Sequence, residues 1–266
     1  MSTAREQDKT AKELRREREQ RITDVINLKI TDRVPVACEL GYFAARYAGM
    51  PCSVFYYDCE AWLAAYRKTL QDFQPDMAFI RGFTPGKALE YLDPKFMKWP
   101  GYGLDPHIGF QVIEIESLKD DEYDFLISNP ADFFIRHHLP RLNGSLEFLS
   151  MLPKLSDTTW IEPWSAQNLA ILLTEPGMEA AVKNLQEAGR EIRKWLPKMR
   201  EFDQLLMDFG MPQLYQGGVL PPFDVISHSV RGMKGTMLDM YRRPDKLLAA
   251  CEFLLEKTLS KPLPKP

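Results

Sequence analysis

The spacing of apolar residues predicts alternating helices and strands over the first eighty residues. A highly charged helix is predicted over 4–30, where the apolar positions collect toward the C-terminal end. A short apolar run at 34–40 predicts a first strand, and apolar spacings near 3.6 predict a helix over 53–73. The apolar run 77–80 predicts a second, buried strand. This order of strand, helix and strand indicates a right-handed parallel unit.

The pattern changes after residue 92. Prolines and glycines predict a loop over 93–109. A short alternating strand is predicted over 111–115, and two short helices over 120–128 and 130–139. Residues 176–207 predict a long helix that Pro197 kinks or divides.

A third strand is predicted at 210–223, where GMPQLYQGGVLPPF ends in glycines and prolines. Helices over 224–229 and 245–258 follow. The elements together predict an α/β fold that is rich in helix.

Composition narrows the class of protein. The chain has 266 residues, of which 45% are hydrophobic and 27% charged, as in a globular protein with a core. A net charge of -3 argues against nucleic acid and acidic membranes as partners. The N-terminus has no apolar signal core, and no run approaches the roughly 20 apolar residues of a membrane span. The four cysteines lack disulfide or zinc spacing, so a soluble, cytoplasmic protein is expected.

Three segments, in order, resemble the uroporphyrinogen decarboxylase superfamily. LKITDRVPVACELGYFAARYAG is similar to the family's first strand and the loop after it. TLQDFQPDMAFIRGF is similar to a helix end and the second strand. LYQGGVLPPFDVISHSVRG is similar to the third strand, with a Gly-x-x-x-Pro-Phe turn leading into a helix. The three segments cover about a fifth of the chain.

The resemblance implies a partial TIM-type (β/α)8 barrel of about three parallel strands. The expected organisation is a charged N-terminal helix over 1–30 and a barrel portion over 31–266, with a large helical insertion at about 93–212. Three strands of eight further predict that the chain is the N-terminal part of a longer protein. Active sites of such barrels lie at the C-terminal ends of the strands. Gly41 follows the first strand, so its neighbours would border the site, although a plain turn at this glycine is the alternative.

The first segment departs from the decarboxylase pattern. That enzyme holds a macrocycle with many carboxylates, for which arginines are suited. The family has Met-Arg-Gln-Ala-Gly-Arg-Tyr where this chain, aligned on Gly41, has residues 37–43. Cys38 and Tyr42 therefore replace the two arginines, and Glu39 adds a negative charge. Decarboxylation of uroporphyrinogen is disfavoured on these grounds.

The other two segments also differ at the expected site. Where the family ends its second strand with an aspartate, this chain has Phe83, preceded by Arg81. The family's Pro-Phe-Thr-Leu-x-x-Tyr corresponds to 222–228, so His228 replaces the active-site tyrosine. An imidazole there can transfer a proton or ligate a metal, and packing at a helix start is an equal alternative. The predicted site has His228 as its catalytic residue and these substrate-binding residues: Glu39, Tyr42, Arg81, Phe83 and Phe223.

The resemblance implies a methyltransferase-like enzyme in a corrinoid-dependent methyl-transfer, or demethylation, system. Its partners would be a small-molecule substrate and a corrinoid protein. The alternatives are a uroporphyrinogen decarboxylase-type lyase of porphyrin biosynthesis and a non-catalytic binding protein on the same fold. Family members that methylate thiols hold zinc through a His-x-Cys pair and a later Cys. This chain has no His-x-Cys, so zinc is not predicted within it, and His137 and His138 are interpreted as a surface or packing pair.

Overall fold

The computed structural model of the chain describes residues 9–79, 85–154, 162–212 and 219–260. These residues form thirteen α-helical segments: α1 Ala11–Ile26, α2 Gly41–Tyr47, α3 Val54–Tyr57, α4 Cys59–Phe73, α5 Gly86–Leu92, α6 Tyr123–Ser128, α7 Pro130–Phe133, α8 Leu139–Leu142, α9 Ser165–Leu173, α10 Pro176–Asp208, α11 Pro222–Asp224, α12 Met233–Arg242 and α13 Pro244–Leu259. Two π-helical segments, Phe134–His138 and Val225–Val230, and a 3-10 helix, Gly144–Met151, continue some of them. The five short strands are β1 Ala37–Glu39, β2 Met77–Phe79, β3 Met97–Pro100, β4 Gly103–Leu104 and β5 Gln111–Val112.

The chain divides into two compact units that interleave along the sequence. Unit 1 consists of the described residues within 1–88, 99–110 and 190–216. Unit 2 consists of those within 89–98, 111–189 and 217–266.

The predicted parallel unit lies in unit 1. β1 and β2 pair in parallel, with Cys38 opposite Ala78, and the helix α4 connects them along the chain. One face of α4 is buried, with Trp62, Tyr66 and Leu70 all inaccessible to solvent. This confirms the strand, helix and strand order that the apolar spacing predicted.

The core of unit 1 is strongly aromatic. The rings of Trp62 and Tyr66 lie 4.7 Å apart, and Phe202 from the C-terminal half of α10 contacts both. Phe202, Leu205 and Leu206 are all buried in this core. The helix α10 continues through Pro197, so the proline does not divide it.

Buried charges tie the N-terminal helix to the parallel strands. Asp76, which precedes β2, has no exposed surface and accepts hydrogen bonds from Arg21 of α1, from Arg33 and from the backbone N–H of Val36. Arg18, also of α1, donates to the carbonyl of Gly210 at 3.1 Å. Burial of an ion pair is tolerated when its hydrogen bonds are satisfied, as they are at Asp76.

Unit 2 has two apolar clusters and a buried ion pair. The larger cluster contains Leu118, Tyr123 and Phe133 and packs them against the 225–230 segment and α13. The smaller joins the 3-10 helix to the start of α10. Nε of Arg231 donates to Oδ2 of Asp239 at 2.6 Å, and the hydroxyl of Tyr123 donates to the same oxygen at 2.9 Å.

Several predicted boundaries differ from the observed ones. The first helix covers only α1, and the helix predicted over 53–73 is divided into α3 and α4 at Asp58, whose side chain caps α4 by accepting from the N–H of Ala61. Within the predicted third strand, residues 213–218 lie outside the described residues, and the described residues beside them form no strand. The described strands form no closed barrel, so the architecture stated here is a helix-rich α/β fold with a parallel strand pair.

Candidate functional site

A cavity of about 630 Å³ in unit 2 is the best candidate for a ligand site. Its volume lies in the range typical of small-molecule pockets, and its walls are mainly apolar with a few polar groups. The lining residues are Phe96, Val112, Ile113, Glu114, Ile115, His138, Leu142, Ser227, His228, Ser229 and Met233. Two of the four histidines in the chain therefore line one cavity.

The helical segment 222–230 brings His228 to this cavity. Pro222 occupies the first turn of α11, where its missing N–H is harmless. The backbone then winds as a π-helix, and Ile226 and Ser227 are buried while His228 and Ser229 are exposed. π-Helical turns are frequent at functional sites because they redirect side chains within a helix.

His138 reaches the same cavity from the other π-helical segment. Its Nδ1 lies 2.8 Å from Oγ of Ser117, and that oxygen lies 3.0 Å from the backbone carbonyl of Val230. Ser117 is fully buried. The ring of Phe134 stacks on that of His138 with centroids 5.8 Å apart. Burial lowers the pKa of His138, which favours the neutral imidazole.

The interpretation of His137 and His138 as one packing pair is therefore incomplete. His137 has the structural role, since its Nδ1 lies 2.9 Å from Glu122, which also forms an ion pair with Arg141. His138 lines the cavity instead. The local sequence does not distinguish the two, because the partners of His138 lie 21 residues away at Ser117 and, through it, at Val230.

Glu114 supplies a carboxylate to the cavity. Its Oε1 accepts a hydrogen bond of 3.0 Å from the backbone N–H of Lys234 at the start of α12. Gly232 comes close to this carboxylate and has a φ of +79°, a conformation that favours glycine. The described lining contains no arginine or lysine, so it offers no fixed positive charge to an anionic ligand.

The other predicted site residues are distributed differently. Glu39 and Tyr42 belong to unit 1, where the hydroxyl of Tyr42 lies 2.7 Å from that of Tyr56 and accepts from the backbone N–H of Phe110. Burial raises the pKa of Tyr42, as expected for a phenol within an aromatic cluster. Phe223 is in unit 2 and is not among the cavity residues.

Two further residues of the predicted site, Arg81 and Phe83, lie outside the described residues. Gly41 has a φ of +42° at the start of α2, and a Cβ built on it meets no atom within 4 Å. The glycine is thus required by the backbone turn and not by a close neighbour.

Two kinds of feature are absent from the described residues. No cluster of three or more His, Cys, Asp or Glu side chains there has an arrangement that could hold a metal ion. None of the helices in that part of the chain has the length and apolar character needed to cross a membrane.

No family model, curated protein or solved structure matches this chain.

Proposed function

We propose that the chain is a uroporphyrinogen decarboxylase-superfamily protein with a methyltransferase-like role in corrinoid-dependent demethylation, built on part of a (β/α)8 barrel. The observation that carries the proposal is the position of His228. The motif resemblance assigns this residue to the family's active site, and it lines the 630 Å³ cavity of unit 2.

The charge of the cavity supports a methyltransferase-like role over a decarboxylase. A substrate with many carboxylates needs fixed cations, and the described lining supplies Glu114 without an arginine or lysine. Apolar walls such as Val112, Ile113 and Leu142 suit a small neutral molecule, for example an aryl methyl ether.

Removal of a methyl group from an aryl ether requires a proton at the ether oxygen. When a methyl group leaves the ether oxygen as a cation equivalent, the oxygen keeps the bonding electron pair and must gain one proton to become a hydroxyl. The imidazole of His228 is suited to transfer that proton. A corrinoid held by a partner protein would supply the two-electron nucleophile that takes the methyl group, since a cavity of this size suits the small substrate alone.

The test is an anaerobic assay in which free cob(I)alamin replaces the partner-bound corrinoid and 4-methylanisole is the methyl donor. The expected result is loss of the cob(I)alamin absorbance with formation of 4-methylphenol in equal amount. His228→Asn should slow this by about 100-fold, the lower range for loss of a general acid. His107→Asn, an exposed histidine of unit 1, is the control that should keep the full rate.

Two results would overturn the proposal. Binding of 4-methylanisole without loss of cob(I)alamin absorbance would favour a non-catalytic binding protein. Release of carbon dioxide from uroporphyrinogen would favour the lyase.

A further inference from the structure

We propose that His138 is the hydrogen-bond acceptor of the unit 2 cavity, and that the cavity selects a neutral, largely apolar molecule with one hydroxyl donor, such as a phenol. The inference deepens the proposed function, because a phenol is the product of aryl ether demethylation. It concerns a different residue from the proton donor His228.

The first step is the direction of the hydrogen bonds around Ser117. A backbone carbonyl can only accept, and two oxygens 3.0 Å apart repel each other unless a hydrogen lies between them. We assign the single hydroxyl proton of Ser117 to the carbonyl of Val230, which also accepts from two backbone N–H groups. Oγ of Ser117 then accepts from Nδ1–H of His138 at 2.8 Å.

The second step is the state of the other ring nitrogen. A neutral imidazole carries one proton, and with that proton on Nδ1 the Nε2 atom has a free lone pair. Among the described residues, none hydrogen-bonds to Nε2 of His138, whose ring is hydrogen-bonded through Nδ1. Burial lowers the pKa of His138, which favours the neutral ring over the imidazolium.

Hydrogen bonds to its backbone hold Ser117 in place, and this favours the His138 tautomer with the proton on Nδ1. The backbone N–H groups of Ser117 and Leu118 both donate to the carbonyl of Val230, at 2.7 and 2.8 Å. The guanidinium of Arg141 donates to the carbonyl of Ser117 at 2.6 Å. Ser117 is accordingly a positioning residue, which acts on a ligand only through His138.

The third step is the class of ligand. An acceptor nitrogen within apolar walls favours a molecule that brings its own donor. An anion would meet the carboxylate of Glu114 and an acceptor at Nε2, and neither stabilises negative charge. A neutral hydroxyl compound satisfies Nε2 and places its apolar body against residues such as Phe96 and Leu142.

The experiment is equilibrium binding to the full chain by calorimetry, with no corrinoid present. The probes are 4-methylphenol and 4-methylanisole, which differ only in methylation of the oxygen, and 4-methylbenzoate as an anion. We expect 4-methylphenol to bind about tenfold more tightly than 4-methylanisole, the usual value of one hydrogen bond, and 4-methylbenzoate to bind least.

Variants assign the preference to His138. His138→Phe should abolish the tenfold difference, while His138→Gln, whose side-chain oxygen can accept near the Nε2 position, should restore part of it. Ser117→Ala should weaken the preference and move the proton of His138 between its nitrogens, a change visible in the ring ¹⁵N shifts. His107→Asn should leave the preference unchanged.

Equal affinities for the two neutral probes would overturn the inference, as would a preference that persists in His138→Phe. Absence of binding by all three probes would overturn it as well. The binding assay contains no methyl acceptor, so its result does not depend on whether methyl transfer occurs. A negative binding result would not test the role of His228, which the cob(I)alamin assay tests separately.

Discussion

Two polar groups, the buried Asp76 in unit 1 and the half-buried His138 in unit 2, have opposite environments. Asp76 of unit 1 has no exposed surface, and both its carboxylate oxygens accept hydrogen bonds, from Arg21, Arg33 and Val36. His138 of unit 2 has one nitrogen bonded to Ser117 and the other without a partner among the described residues. A saturated group of this kind stabilises a fold, whereas a half-satisfied group beside a cavity indicates a ligand site.

The residue with the stronger interactions is not the one that is available to a ligand. Asp76 has the stronger interactions, and its oxygens are fully used within unit 1. The weaker network at His138 leaves capacity for a ligand.

The largest effect is expected at Asp76. Asp76→Asn removes the buried negative charge that Arg21 and Arg33 share, although Arg21 keeps its ion pair with Asp32. The loss should cost about 3 kcal/mol of unfolding free energy in urea titrations. Asp72→Asn, an exposed carboxylate of the same unit that pairs with Lys68, is the matched control and should change the midpoint little. Equal midpoints for the two variants would contradict the structural role of Asp76.

A smaller loss is expected in acid, through Glu122 of unit 2. Burial raises the pKa of Glu122, but hydrogen bonds from Arg141 and the Lys119 backbone N–H outweigh it and hold the pKa at about 2. A depressed carboxyl pKa gives stability that is present above the ordinary pKa of 4.5 and is lost as the pH falls toward 2.

This loss should amount to about 2 kcal/mol between pH 5 and pH 2 and should be absent in Glu122→Gln. The measurement is urea unfolding at a series of pH values. A variant that loses stability in acid as steeply as the wild type would refute the role of Glu122.

A substitution at Gly41 should lower the unfolding free energy by less than the loss at Glu122 and should leave ligand affinity unchanged. Its φ of +42° strains any other residue, so Gly41→Ala should lower the unfolding free energy by about 1 kcal/mol. Since a Cβ there meets no atom, affinity for 4-methylphenol should not change. An altered affinity in calorimetry would show that the turn at Gly41 takes part in ligand binding, contrary to this expectation.

The smallest effect is a pH dependence from His138. Its pKa is lowered by burial, so the unfolded chain binds the proton more readily than the folded one. Stability is therefore complete above the ordinary pKa of 6.5 and declines as the pH falls below it. His138→Gln should reduce this slope in thermal unfolding, and His107→Asn should retain it. A slope unaffected by the first variant would show that another group titrates.

The sequence predicts local elements better than the site. Apolar spacing identifies β1, α4 and β2, because each buries side chains at its own period. The division at Asp58 follows from a cap that is readable in the sequence, an aspartate three residues before Ala61. The continuity of α10 through Pro197 is not readable in the sequence, because a proline inside a helical pattern predicts a kink or a break.

In the candidate site, too, the sequence identifies a residue that lies in a motif and not one that depends on tertiary contacts. His228 was predicted from a motif, and it lines the cavity. His138 was not, because its function depends on a hydroxyl and a carbonyl that the fold brings from Ser117 and Val230. The predicted roles of Arg81 and Phe83 stay predictions.

The most direct test of the contrast is the protonation of His138, observed by ¹⁵N NMR of the imidazole rings with assignment from the His138→Gln variant. The account predicts a neutral ring with its proton on Nδ1, a pKa below 6.5, and a change in the Nε2 shift when 4-methylphenol is added. A proton on Nε2 at neutral pH, or an Nε2 shift that 4-methylphenol leaves unchanged, would contradict it.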